Sequence, residues 1–215
     1  MKLRNALTGR EPDCSTAFVL APRANARLAP ADIEAEAPAL DAADAELMEM
    51  ETPASASLRP AQIAREAGAT VVLNPAPARH FPDSLCAFCD VLVPNEIEAA
   101  KLSGCPVGDP LGGARVLLAR GARAVVVTLG EQGALLVTPR TEERFAAHKV
   151  EVIDSVAAGD AFCGALTVCL AEGVPLPEAI RFANAAGALA VTVAGASPSM
   201  PRRNAIDALL SGETF

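Results

Sequence analysis

Apolar runs of strand length alternate along this chain with helical patterns, and that alternation constrains the fold more than any other feature. "TVVLN" (70–74), "DVLVP" (90–94) and "RAVVVTL" (123–129) are continuous apolar runs, the pattern of strands buried on both faces. "STAFVL" (15–20) and "AELMEM" (45–50) also read as strands. Helical patterns cover 29–40, 59–68 ending at Gly68, "NEIEAAKLSG" and "GGARVLLARG". "ALLVT" and "ERFAAH" form a hairpin or short edge strands, and helices follow over 159–172, 177–191 and 202–210. Such alternation predicts a three-layer α/β/α arrangement around a mostly parallel sheet. With 215 residues, no repeat and no linker, residues 1–215 read as a single domain. In open sheets of this kind ligands sit beyond the carboxyl ends of the strands.

Composition removes several function classes. A formal charge of −8 disfavours broad binding to nucleic acid or an anionic membrane surface. No apolar run spans a bilayer, and "MKLRNALTGREPDC" lacks a signal peptide's apolar stretch, so a cytoplasmic location is expected. There is no Trp or Tyr, so the core must be aliphatic. Six cysteines in a chain this large do not read as a disulfide scaffold. Cys86 and Cys89 form one C-x-x-C without the second pair a zinc ribbon needs, and read as buried thiols in a short helical turn, "SLCAFCD". His80 and His148 are isolated and read as surface residues.

The strand ends carry the chemistry: Glu51, Asn74, Asn95, Thr128 and Gly130 each close an apolar run. "DSVAAGDAF" stands where a helix begins. Ala157, Ala158 and Gly159 leave backbone N–H groups accessible at a positive helix end, a site for an anion. Asp160 in the first turn can accept a proton from a nucleophilic hydroxyl. A plain small-residue turn with a dipole-favoured acid is the alternative. In "PNEIE", Asn95 and Glu98 form a capping box or order Mg²⁺-bound water around phosphates. "TLGEQGALL" is a tight hairpin with Gly130 and Gly133, or a backbone edge under a nucleotide. Asn184 shares a helical face with Ile180, Ala183, Gly187 and Ala188, and either caps a loop or borders a nucleobase pocket with clearance from Gly187. Neither a P-loop nor G-x-G-x-x-G is present.

Together these stretches resemble the ribokinase family, also called the phosphofructokinase-B family of carbohydrate kinases. "DSVAAGDAFCGAL" resembles its second signature, and "MEMETP", "VVLNPAPAR", "VLVPNEIEAAKLSG", "VVVTLGEQGALLV" and "PLPEAIRFANAAGALAVTVAGASPSMP" follow in family order. The resemblance covers roughly residues 15 to 210. It implies ATP-dependent phosphorylation of a sugar's primary hydroxyl, most specifically D-ribose to D-ribose 5-phosphate. It makes Asp160 the base and Ala157, Ala158 and Gly159 the anion hole. Asn95, Thr128, Leu129, Gly130, Glu131, Gln132, Gly133, Gly159 and Asn184 become nucleotide contacts. Glu51 binds sugar hydroxyls with Asp160, and Glu98 serves Mg²⁺ through water. Asp154, Val156, Ala190, Val193, Gly195 and Ser199 match a monovalent-cation site, usually K⁺.

Members of that family begin with a longer leading segment, holding the first strands, a sugar-binding Asp, a Gly-Gly signature and most of a lid. Residues 1–20 correspond to a lid remnant and 21–215 to the nucleotide-binding core. The alternatives are a weak or inactive nucleotide-binding fragment that pairs through its open edge, including as a homodimer, and a kinase for another sugar or a nucleoside. Cys163, one turn after Asp160, reads as packing, with a redox switch as the alternative.

Overall fold

The computed structural model describes residues 24–212, together with the backbone of β1 (Ala6–Arg10) and β2 (Thr16–Leu20), which pair antiparallel. The strand expected at 15–20 is β2. The remainder of the expected lid remnant, and Cys14, lie outside the described residues.

Two short helices follow, α1 (Pro30–Ala35) and α2 (Ala37–Asp41), in place of one predicted helix over 29–40. Pro38 explains the break. Inside a continuous helix it would remove a hydrogen bond and press on the Glu34 carbonyl, whereas near the start of α2 its missing N–H costs nothing. Strand β3 (Ala45–Met48) is shorter than predicted, and α3 (Ala54–Ala67) begins one turn before the expected start at 59. Because α3 starts earlier, Pro60 lies buried inside it. Burial of Ala56, Ala61, Ile63 and Ala64 on the same helix offsets an interior-proline cost of roughly 3 kcal/mol. Gly68 ends α3 in the left-handed conformation, as expected.

The chain continues through β4 (Thr70–Leu73), α4 (Asp83–Phe88), β5 (Val91–Leu92), α5 (Glu96–Ser103), α6 (Pro110–Ala119) and β6 (Ala124–Thr128). The hairpin strands β7 (Ala134–Val137) and β8 (Glu142–Phe145) come next, then α7 (Ala158–Ala171), α8 (Leu176–Ala190), α9 (Ala196–Ser199) and α10 (Arg203–Ser211). One sheet has the order β3-β4-β5-β6-β7-β8. Strands β3 to β6 are parallel, and β7 and β8 are antiparallel.

Alternate side chains of each strand enter two cores. Val71, Leu73, Leu92, Val125 and Val127 meet α3 to α6, while Val72, Val91, Val93, Val126 and Leu136 meet α7 and α8. Helix α10 packs outside α8 through Ile206. Cys86 and Cys89 lie fully buried in the first core, and the Cys89 thiol donates to the Leu85 carbonyl at 3.1 Å. Among the described residues no helix is long and apolar enough to cross a membrane.

Candidate active site

Four parallel strands deliver their carboxyl ends to one side of the sheet, where α7 begins. After β3 the chain is fixed by Met50, which is buried and donates its N–H to the Ala76 carbonyl at 2.8 Å. That anchor sets Glu49 and Glu51 on either side of it. Glu51 is half-buried and accepts from Asn25 Nδ2 at 3.5 Å. Glu49 is open to solvent on one side. Even so, partial burial, then the Glu51 and Asp160 carboxylates, push its carboxyl up to about 7, against the opposing pull of the Glu51 N–H and Arg79. Helix α7 packs against β3, and its Asp160 lies near enough to Glu49 to act on it.

Asn95 and Glu98 complete the capping box. Asn95 Oδ1 accepts the Glu98 N–H at 2.8 Å, and Glu98 Oε2 accepts the Asn95 N–H at 2.9 Å. Burial raises the Glu98 carboxyl above its ordinary range, partly offset by that N–H. Asn95 also bridges to Thr128, whose N–H donates to the Pro94 carbonyl at 3.0 Å. The expected nucleotide residues at the ends of β5 and β6 are thus neighbours.

From Thr128 the chain makes a short 3₁₀ turn over Gly130–Gln132, and the Leu129 N–H donates to the Gly133 carbonyl at 2.8 Å. Gly133 has φ +88°, and a Cβ there would lie 1.9 Å from the Phe145 carbonyl oxygen. The tight hairpin by itself accounts for this glycine.

Helix α7 starts from Ala157, which adopts φ 65°, the described non-glycine residue with positive φ. No side chain caps this N-terminus. The space beside Gly159 is open, and Asp160 is exposed in the first turn. The left-handed step at Ala157 is a local backbone cost held in place by its surroundings. Part of that support is Asp154, whose Oδ1 accepts the Val156 N–H at 3.1 Å and whose Oδ2 accepts the Gly195 N–H at 3.0 Å. The Ile153 and Asp154 N–H groups reach the Val191 carbonyl, and the Val193 N–H reaches that of Ala190. Ser199 is buried nearby in sequence, donating to the Ala196 carbonyl at 2.7 Å. The segment around 154–156 is thereby tied to the chain that leaves α8.

Asn184 takes the loop-capping role, one of the two the sequence left open. It is buried, its Nδ2 points to the Phe145 and Ala146 carbonyls at 3.4 Å each, and it lines a cleft of about 300 Å³. Arg181, Arg144 and His148 share that cleft. His148 is half-buried there, unlike the surface residue expected, because the strand β8 carries the following loop back over α8. A Cβ at Gly187 would lie 3.4 Å from the Ala158 carbonyl oxygen, so this glycine sits where α8 passes close to α7. Glu49, Arg79 and Asn25 were not singled out from sequence. Only spacing from Glu51 could have pointed to Glu49.

No cluster of three or more His, Cys, Asp or Glu side chains is assembled for a metal among the described residues. A lone half-buried Glu98 suits Mg²⁺, which keeps its waters and takes one or two carboxylates plus phosphate oxygens.

Comparison with known proteins agrees with this arrangement. Residues 6–203 match the pfkB family carbohydrate kinase model. A ribokinase from Haemophilus influenzae is 38% identical over 189 residues, covering 86% of this chain and 62% of the relative. A deoxyribokinase from Salmonella typhi is 32% identical over 191 residues, covering 87% of this chain and 62% of the relative. The structure of Arabidopsis thaliana ribokinase complexed with ribose and ATP superposes with a TM-score of 0.86 at 29% identity, covering 95% of this chain and 68% of that one. The chain thus spans about three fifths of the length of those two curated relatives. With a family match over nearly its whole length and the ribokinase-like fold, this chain belongs to the pfkB family of carbohydrate kinases.

Proposed function

We propose that this chain carries the phosphoryl-transfer half of an ATP-dependent sugar kinase acting on the primary hydroxyl of D-ribose. The observation that carries the reading is the exposed Asp160 in the first turn of α7, whose start has no side-chain cap and open space beside Gly159. Asp160 takes the proton of the sugar hydroxyl as its oxygen attacks the γ-phosphorus. The bond to the β,γ-bridging oxygen breaks, and ADP leaves with that electron pair. The N–H groups over Ala157, Ala158 and Gly159 face the charge developing on the transferred group. Glu51 orients sugar hydroxyls. Asn95 and the run Thr128 to Gly133 line the nucleotide's phosphate and ribose side, and Asn184 borders its base. Glu98 would hold Mg²⁺ through water, and the metal supplies charge neutralisation on the phosphates. Asp154, Ser199 and the carbonyls of Val156, Ala190 and Val193, with Gly195, would hold K⁺, which supplies positive potential beside the anion hole.

A second reading has its own support. Strand β3 is an edge strand with Leu47 44% exposed, and the chain covers only part of its relatives, which favours a nucleotide-binding unit completed by further chain. An ADP-release assay with D-ribose, 2-deoxyribose and fructose, in K⁺ and in Na⁺, separates the readings. Ribose-dependent release stimulated by K⁺ supports the kinase. ATP binding without release under any sugar supports the second reading.

A further inference from the structure

We infer that Asn74 is a positioning residue for Asp160, acting through Cys163; this rests on the kinase reading above. Asn74 closes β4 and was expected to face the crevice with the other strand-end residues. Its side chain is instead used at both ends inside the protein. Nδ2 donates to Cys163 Sγ at 3.3 Å, across 89 residues of chain, and Oδ1 accepts the Ala76 N–H at 3.1 Å. Its backbone N–H donates to the Met48 carbonyl at 2.8 Å, and the Ala76 carbonyl receives the Met50 N–H at 2.8 Å. The Asn74 side chain therefore joins the turn after β4 to α7, and the backbone of Asn74 and Ala76 joins that turn to the exit of β3, which carries Glu51.

Cys163 lies one helical turn after Asp160, on the same side of α7. It is 3% exposed, and burial pushes its thiol up to about 12, so it stays an uncharged acceptor. The start of α7 lacks a side-chain cap and begins from a left-handed Ala157. Within the helix, the first turn is held by backbone bonds such as Ala161 N–H to the Ala157 carbonyl at 2.9 Å. The tie from Asn74 is what registers that turn against β4, and with it the spacing of Asp160 from Glu51.

Amide hydrogen exchange on the whole chain tests the junction without requiring turnover. In Asn74→Ala, exchange at residues 160–164 should quicken about 3- to 10-fold, the loss of one modest hydrogen bond, while α8 and α10 hold their rates. Asn74→Ala combined with Cys163→Ala should be no faster than the quicker single variant. Cys163→Ser, which keeps an acceptor, should stay near wild type. In transfer assays Asn74→Ala should lower kcat with little change in KM for ATP. Unchanged exchange at 160–164, equal acceleration in α7, α8 and α10, or additive single effects would overturn the assignment. A wild-type chain that shows the exchange pattern but never transfers phosphate would count against the kinase reading alone.

Discussion

Asp154 Oδ2 accepts the N–H of Gly195 at 3.0 Å, closing a loop of 41 residues onto the segment that leads into α7. The other oxygen holds the Val156 N–H. Asp154→Ala removes both acceptors and should cost at least about 1.5–3 kcal/mol, the range for one hydrogen bond to a charged group. Urea denaturation would show it. Asp154→Asn keeps one of the two acceptors and should lose less stability than Asp154→Ala, while losing K⁺ stimulation of transfer. If the two variants lose equal stability, the charge matters more than the acceptor geometry.

Two glycines separate fold from function. Gly133→Ala must fit a Cβ 1.9 Å from the Phe145 carbonyl at φ +88°, and should cost more than about 3 kcal/mol or prevent folding. Gly159→Ala meets open space in a helix and should stabilise by about 0.5–1 kcal/mol. If the start of α7 cradles phosphate, the same methyl crowds the cradle and lowers turnover. Thermal melts with parallel ADP-release rates check both. A more stable and equally active Gly159→Ala would remove Gly159 from the anion hole.

Glu98 has a capping task and a proposed metal task, and one substitution distinguishes them. Glu98→Gln keeps a carbonyl oxygen for the Asn95 N–H and should change stability by less than about 0.5 kcal/mol. Glu98→Ala should cost about 1 kcal/mol. Both should weaken Mg²⁺-dependent ATP binding. Titration calorimetry in which Glu98→Gln binds MgATP like wild type would leave Glu98 as a cap only.

Glu46 faces the core from the edge strand β3, with Oε2 buried and lacking a hydrogen-bond partner. Burial pushes its carboxyl up to about 7 from 4.5. The folded state therefore holds a proton that the unfolded state releases between those values. Stability is greatest below the lower value and falls as pH rises through this window. With allowance for its partial exposure, the loss above pH 7 is on the order of 1–3 kcal/mol. Glu46→Met, apolar like its neighbour Met48, should be more stable at pH 8 and lose that part of the pH dependence. Parallel stability–pH curves for the two proteins would contradict this.

The strands β4, β5 and β6 were legible because fully buried parallel strands must be apolar on both faces. Their ends were legible for the same reason, since a polar residue closing such a run stands out, and Asn95 and Thr128 do meet there. What the sequence did not reveal depends on which distant element covers which face. Glu49 owes its raised carboxyl first to burial and then to Glu51 and the distant Asp160, and Asn74 spends its amide on Cys163. His148 and Arg181 meet only because the chain after β8 folds over α8. The prolines misled in both directions: Pro38 broke a helix that periodicity joined, and Pro60 sat inside one expected to start at 59.

The most direct measurement follows ribose phosphorylation by ³¹P NMR, with MgATP affinity from calorimetry, for wild type and Asp160→Asn in K⁺ buffer. If Asp160 is the base, the variant loses about 10²–10⁴-fold in transfer rate, the usual contribution of a positioned proton acceptor, while binding MgATP as wild type does. Equal transfer by the variant, or a wild-type chain that binds no nucleotide, would contradict it.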